Sequence, residues 1–254
     1  MRSTEKGEEM QRDVIVACDF DSREEVLEFL ELFEDKKPFV KIGMELFYSL
    51  GPDIVGEIKA RGNKVFLDLK LHDIPNTVKK TMAVLRNLNV DMCNVHAAGT
   101  INMMKAALEG LSVEGARRTL LIAVTQLTST DEETMQTELL IKSKLNETIL
   151  RYGENALKAG LDGVVCSPLE AGYVKKYCGQ QFLTVTPGVR FTDGVIDDQK
   201  RVTTPERARL LGTDYIVMGR PITQASDPKA AYIRACREFI GEQYMKGSYE
   251  CQRK

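Results

Sequence analysis

Short β-branched and apolar runs recur along the chain at Val14–Phe20, Phe39–Gly43, Lys64–Lys70, Asp91–Ala97, Thr119–Leu127, Gly163–Ser167, Phe182–Gly188 and Asp214–Gly219, and each predicts a strand. Between them, Ser22–Asp35, Pro52–Ala60, Pro75–Asn89, Ile101–Leu111, Leu145–Ala159, Leu169–Tyr177, Pro205–Leu211 and Pro228–Gln243 carry apolar residues three and four apart, the period of a helix with one buried face. Val26, Leu27, Leu30 and Phe33 show the pattern in the first of these. Pro75, Pro205 and Pro228 fall near helix starts, where a fixed φ helps and the missing N–H is not needed, and Gly62, Gly160 and Gly212 follow helix ends.

Strict alternation of strand and helix implies a parallel sheet with right-handed crossovers, and eight such units predict closure into a single (β/α)8 TIM barrel. The competing architecture is an open, doubly wound sheet. It calls for a glycine-rich turn after the first strand, where Asp19-Phe20-Asp21-Ser22 has no glycine. Extra length between the fifth and sixth strands holds Asp131–Ile141, read as an added short helix over the barrel mouth. No composition break divides the chain, so residues 13–245 are expected to form the barrel, with 1–12 as an N-terminal extension and 246–254 as a tail.

Composition narrows the function classes. Thirty-five basic and 37 acidic residues leave a net charge of −2, so no bulk positive field recruits nucleic acid or anionic lipid, and any anion site must be local. The longest apolar runs, Val14–Cys18 and Leu120–Val124, are far too short to cross a bilayer, and the polar start lacks the apolar core of a secretory signal; a cytoplasmic location is expected. The six cysteines form no C-x-x-C pair, and three lie in strand-like runs, where a buried thiol packs as a small hydrophobe. Two histidines give a zinc site little to work with.

In a barrel the chemistry lies at the carboxyl ends of the strands. There the first strand ends in Asp19, the second carries Lys41, and the third runs through Asp68-Leu69-Lys70 into His72-Asp73. Alternation puts Phe66, Asp68 and Lys70 on one face. Taken singly, each charge reads as a solvated strand end; together they can pair, which lets buried charges survive and fixes an ammonium as a proton donor able to quench a carbanion. A second cluster follows the last two strands: Thr186-Pro187-Gly188-Val189-Arg190, then Gln199, then Met218-Gly219-Arg220. Backbone N–H groups, glycine and a guanidinium at these two strand ends suit a phosphate, although surface arginine is an equally ordinary reading of each alone. Thr128, in Thr125–Thr130, offers groups that could read a polar ring or merely cap a helix. His96 reads as a hydrogen-bonded structural residue, and His72 as a neighbour of the aspartates with no proton to transfer.

The segment Phe66-Leu67-Asp68-Leu69-Lys70-Leu71-His72-Asp73-Ile74-Pro75-Asn76-Thr77 resembles the bacterial-type orotidine 5′-phosphate decarboxylase family. Ala17–Asp19, Lys41–Glu45, Val95–Gly99, Thr125–Thr130, Asp162–Ser167, Thr186–Arg190, Asp198–Val202 and Gly219-Arg220 extend the resemblance over nearly the whole chain. The D-x-K-x-x-D core is shared with metal-dependent sugar-phosphate decarboxylases and synthases, which carry a glutamate metal ligand where this chain has Lys41. Lys41 therefore favours the metal-free nucleotide branch.

The resemblance implies cofactor-free decarboxylation of orotidine 5′-phosphate to UMP. It implies that Asp19 and Lys41 hold the ribose hydroxyls, Thr128 contacts the pyrimidine, and Arg190, Gln199, Gly219 and Arg220 hold the 5′-phosphate. Lys70 is then the proton donor, Asp68 lies near the substrate carboxylate, and Asp73, with Thr77 nearby, reaches into the site of the other subunit of a homodimer. Neither a metal nor a nucleic-acid or membrane partner is expected. The alternatives are the metal-dependent branch and a non-catalytic barrel that only binds a phosphorylated ligand.

Overall fold

All eight predicted strands form in the computed structural model, which describes residues 12–112, 119–192 and 203–241. They are β1 (Asp13–Cys18), β2 (Phe39–Gly43), β3 (Val65–Leu71), β4 (Met92–His96), β5 (Leu120–Val124), β6 (Gly163–Val165), β7 (Leu183–Thr186) and β8 (Tyr215–Met218). Each pairs in parallel with the next, and β8 pairs back to β1, closing the barrel and excluding the open sheet. The helices are α1 (Arg23–Glu31), α2 (Met44–Leu50), α3 (Asp53–Ala60), α4 (Pro75–Arg86), α5 (Thr100–Leu111), α6 (Glu132–Thr137), α7 (Leu145–Ala159), α8 (Pro168–Cys178), α9 (Pro205–Leu210), α10 (Arg220–Thr223) and α11 (Pro228–Ile240). The expected extension and tail fall outside the described residues except for Arg12, and so does Gln199.

Local chemistry sets the boundaries. Ser22, Asp131, Thr204 and Asp227 each accept a backbone N–H three residues on, capping α1, α6, α9 and α11. The sixth strand is shorter than its apolar run because Ser167 is taken as the N-cap of α8, in a reciprocal box with Glu170. The fifth stops at Val124 rather than Leu127: both neighbouring ladders end there, opposite His96 and Val165, and only one further N–H, that of Thr125, reaches Val165 O. Thr128 thus lies in the loop after β5. The added helix is present as the single short α6.

Strand alternation divides the core into two layers. Ile15, Ala17, Phe39, Phe66, Met92, Ile122, Val185 and Val217 fill the barrel interior, while Val14, Val16, Cys18, Val40, Ile42, Val65 and Leu67 face the helices. The same parity that points Phe39 and Phe66 inward places Lys41, Asp68 and Lys70 on the interior above them. The interior is therefore apolar below and charged at the mouth.

At the opposite rim a carboxylate precedes every even strand after the second. Asp91 accepts the N–H of Val65 at 2.8 Å, Asp162 that of Leu121 at 2.7 Å and Asp214 that of Thr184 at 2.7 Å, each satisfying a donor at the start of the preceding odd strand. Lys59 pairs with Asp91 and Lys175 with Asp214, both at 2.6 Å.

Candidate active site

A cavity of about 280 Å3 opens at the carboxyl ends of the strands, lined by Lys41, Phe66, Asp68, Lys70, Gln126, Thr128, Ser129, Cys166, Pro187 and Val217 among others. Its floor is a chain of alternating charges. Lys41 Nζ donates to Asp19 Oδ1 at 2.9 Å and stands 3.7 Å from Asp68 Oδ2; Lys70 Nζ donates to Asp68 Oδ1 at 2.7 Å. The lysine–aspartate array expected from the sequence is therefore assembled from β1, β2 and β3.

Its electrostatics follow from burial working against pairing. Burial pulls the Lys41 ammonium down, but Asp19 and Asp68 outweigh it and hold its pKa above the ordinary lysine value. Burial likewise pushes Asp68 up, yet the fields of Lys41 and Lys70 and hydrogen bonds from Lys70 and Asn94 leave it below the ordinary carboxylate value. Asp68 is thus an anion clamped between two cations. Beside Lys41, burial raises the Cys18 thiol to about 12, keeping it neutral. His96 is lowered by burial first, then by His72 and Lys70; its ring lies 5.7 Å from that of His72.

Backbone geometry presents Lys70. Its φ is +51°, a left-handed conformation that costs a non-glycine residue about 1–3 kcal/mol and persists only where its surroundings impose it. Between β3 and β4 the register shifts: Leu67 opposes Cys93 and Leu71 opposes Val95, so Asp68, Leu69 and Lys70 stand against Asn94 alone. Asn94 was not among the residues expected from the sequence, nor were Gln126 and Ser129 on the cavity wall. A polar residue at the inward parity of an apolar strand was the available signal for Asn94.

Gly43 was also missed as a site residue. A side chain there would meet Lys41 Nζ at 2.9 Å and Asp19 Oδ1 at 3.2 Å, so glycine keeps open the space in which the ion pair forms.

Of the expected phosphate residues that are described, Arg190 follows β7 and Gly219-Arg220 follow β8; none of the three lines this cavity, whose wall near those strand ends includes Pro187 and Val217. Gly188, at φ +82°, turns the chain after β7, and the Arg190 N–H donates to Thr203 O at 2.9 Å while the Thr203 N–H donates to Gly188 O at 3.2 Å, which fixes the backbone of Arg190. Arg220 starts α10 directly after Gly219, where a side chain would meet Ala17 at 3.4 Å and the Asp19 carboxylate at 3.9 Å. Asp73 and Thr77 are not on the main cavity. Both are exposed and line an adjoining groove with Tyr48, His72 and Thr81 that shares Lys70 with the cavity, and Asp73 Oδ1 accepts the N–H of Ile74 at 2.6 Å.

Known proteins are similar to this chain in sequence and in fold. The chain is 53% identical over 237 residues to an orotidine 5′-phosphate decarboxylase of Geobacillus sp. (strain WCH70), covering 92% of this chain and 99% of that protein. It is 54% identical over 235 residues to the one of Bacillus cytotoxicus, covering 91% and 99%. A crystal structure of orotidine 5′-phosphate decarboxylase from Lactobacillus acidophilus superposes with a TM-score of 0.81 at 41% identity, covering 90% of this chain and 99% of that one. With residues 12–235 matching the family model as well, the chain belongs to the orotidine 5′-phosphate decarboxylase / HUMPS family.

Proposed function

We propose that this barrel decarboxylates orotidine 5′-phosphate to UMP without a cofactor, using Lys70 as both fixed cation and proton donor. The activity is the one carried by relatives that share more than half of its residues along nine-tenths of its length. The observation that supports the role of Lys70 is its ammonium held 2.7 Å from Asp68 on the cavity floor, at the end of a strand that is strained to put it there.

Breaking the bond between C6 of the pyrimidine and its carboxylate releases carbon dioxide and leaves the electron pair on C6. No carbonyl stands next to C6 to delocalise it, so stabilisation must come from a preorganised charge. Lys70 supplies that charge, then transfers its proton to C6, and recovers a proton from solvent after UMP leaves. In this reading Asp19 and Lys41 bind the ribose hydroxyls, Thr128 the pyrimidine edge, and Arg190, Gln199, Gly219 and Arg220 the phosphate. Phosphate contacts remote from C6 convert binding energy into closure around the ring. Asp73 and Thr77 complete the site of a second copy in a homodimer.

Lys41 argues against the metal-dependent reading. Its ammonium already lies between Asp19 and Asp68, the carboxylates a divalent ion would have to bridge. The test is the loss of orotidine 5′-phosphate absorbance in the presence of a chelator, with Lys70→Ala alongside. Turnover should persist with the chelator, and in Lys70→Ala it should fall by at least the hundred- to thousandfold typical of one lost electrostatic donor, roughly 3–4 kcal/mol, while UMP still binds. Chelator-sensitive turnover would restore the metal-dependent reading, and binding without turnover would restore the ligand-binding one.

A further inference from the structure

We infer that Asn94 is a positioning residue for this reaction: its one amide holds the left-handed turn that aims Lys70 and also fixes the carboxylate that anchors the lysine's ammonium. The inference rests on the decarboxylase reading above and extends it to a residue with no contact to substrate in that reading.

The geometry is a two-point brace. Asn94 Nδ2 donates to Asp68 Oδ1 at 2.6 Å, and Asn94 Oδ1 accepts the backbone N–H of Lys70 at 2.8 Å. Chemistry dictates this orientation, since only the NH2 end can face a carboxylate and only the carbonyl can face an N–H. The side chain is 1% exposed, so neither bond can be replaced by water without opening the barrel wall.

The register shift explains why a side chain is needed. With three residues of β3 facing one of β4, the Lys70 N–H has no ladder carbonyl opposite it, and the Asn94 amide substitutes for one. Without that acceptor no ladder pairing between Leu67 and Leu71 holds φ at +51° for a lysine, which would relax toward an ordinary extended conformation and swing its ammonium off Asp68 Oδ1. The same amide also occupies a lone pair of that oxygen, so carboxylate, backbone and ammonium move as one unit. Asparagine alone among neutral residues of this length offers a donor and an acceptor two atoms apart.

The charged or titratable groups around Asn94 are Asp68 and Lys70 on β3, Lys41 on β2 across Asp68, His96 on β4 and His72 beyond β3; the β5 side is apolar from Leu120 to Val124. A carboxyl group at position 94 therefore meets the Asp68 carboxylate first. Ionised, it repels Asp68 and loses the donor; protonated, it offers one O–H donor and one carbonyl acceptor, as the amide does.

The experiment measures kcat and KM for orotidine 5′-phosphate, the Kd of UMP and thermal unfolding for the wild-type chain, Asn94→Ala and Asn94→Asp. Asn94→Ala should lose about a hundredfold in kcat, the scale of a catalytic group displaced by an ångström, with UMP affinity within about threefold because the phosphate residues are on other strands. Asn94→Asp should lose a similar factor at neutral pH and regain part of it as the pH is lowered through the acid range, against a wild-type profile without that rise. The inference is overturned by a wild-type kcat in Asn94→Ala, by an Asn94→Asp profile parallel to wild type, or by loss of UMP binding and of folded protein in step with kcat in both variants. Failure of the wild-type chain itself to decarboxylate the nucleotide is a separate result, which overturns the functional reading and this inference together.

Discussion

At the scale of single residues, the site depends on what is absent at Gly43 as much as on what is present at Lys41. Gly43 has an ordinary φ of −85°, so its backbone would accept any residue; what a Cβ would displace is the Lys41 ammonium, 2.9 Å from where it would sit. Gly43→Ala should therefore leave the barrel folded, with a thermal midpoint within a few degrees of wild type, but push Lys41 away from Asp19 and lower kcat/KM by at least tenfold, about 1.4 kcal/mol of transition-state binding. Steady-state kinetics beside a thermal melt check this; unaltered kcat/KM would mean that Lys41 can relocate without consequence. Much of the floor was legible in the sequence because strand parity needs only one strand at a time: Phe66, Asp68 and Lys70 share a face wherever β3 lies. Asn94 and Gly43 were not legible in the same way. The role of the first arises from a register shift between two strands, and that of the second from a distance between residues of β1 and β2 that no local pattern encodes.

At the scale of elements, the missed pieces are short helices fused directly to strand ends. α2 follows β2 with no intervening residue, and α10 is four residues long after Gly219, so neither displays enough turns for a helical period to separate from its strand. By contrast the prolines at the starts of α4, α9 and α11 marked those helices correctly, because each occupies a first-turn position where its lost N–H has no role. The strand starts carry a further device in the Asp91, Asp162 and Asp214 caps. Asp214 is the most demanding of them: it and Lys175 are each 4% exposed, and the same oxygen also takes the Thr184 N–H and hydroxyl. Lys175→Met should strand that carboxylate and cost about 3–5 kcal/mol of stability. Lys59→Met, at the better solvated pair with Asp91, should cost less than about 1 kcal/mol. Urea unfolding midpoints distinguish the two, and kcat of the folded variants should be unaffected, since this rim is the far end of the barrel from the cavity. Equal destabilisation by both would show that burial is not what makes the Lys175 pair matter.

At the scale of the whole molecule, the D-x-K-x-x-D run spans two adjoining hollows: Asp68 lines the cavity, Asp73 lines an exposed groove beside it, and Lys70 lines both. Tyr48 at 72% and Ile74 at 67% exposure put apolar surface next to that groove, the arrangement expected of a face completed by a second copy. A two-fold dimer would then bring Asp73 of each chain to the cavity of the other, and mixing two inactive variants tests it. When Lys70→Ala and Asp73→Asn chains exchange subunits at equal concentration, about half of the dimers are mixed, and each mixed dimer holds one site with both defects and one with neither. About a quarter of all sites should therefore regain wild-type turnover. If Asp73 instead served its own chain, every site in every dimer would carry one defect and mixing would restore nothing. A tag on one variant, followed through co-purification, establishes that exchange has occurred, so that a dimer too tight to exchange is not mistaken for a site built from one chain.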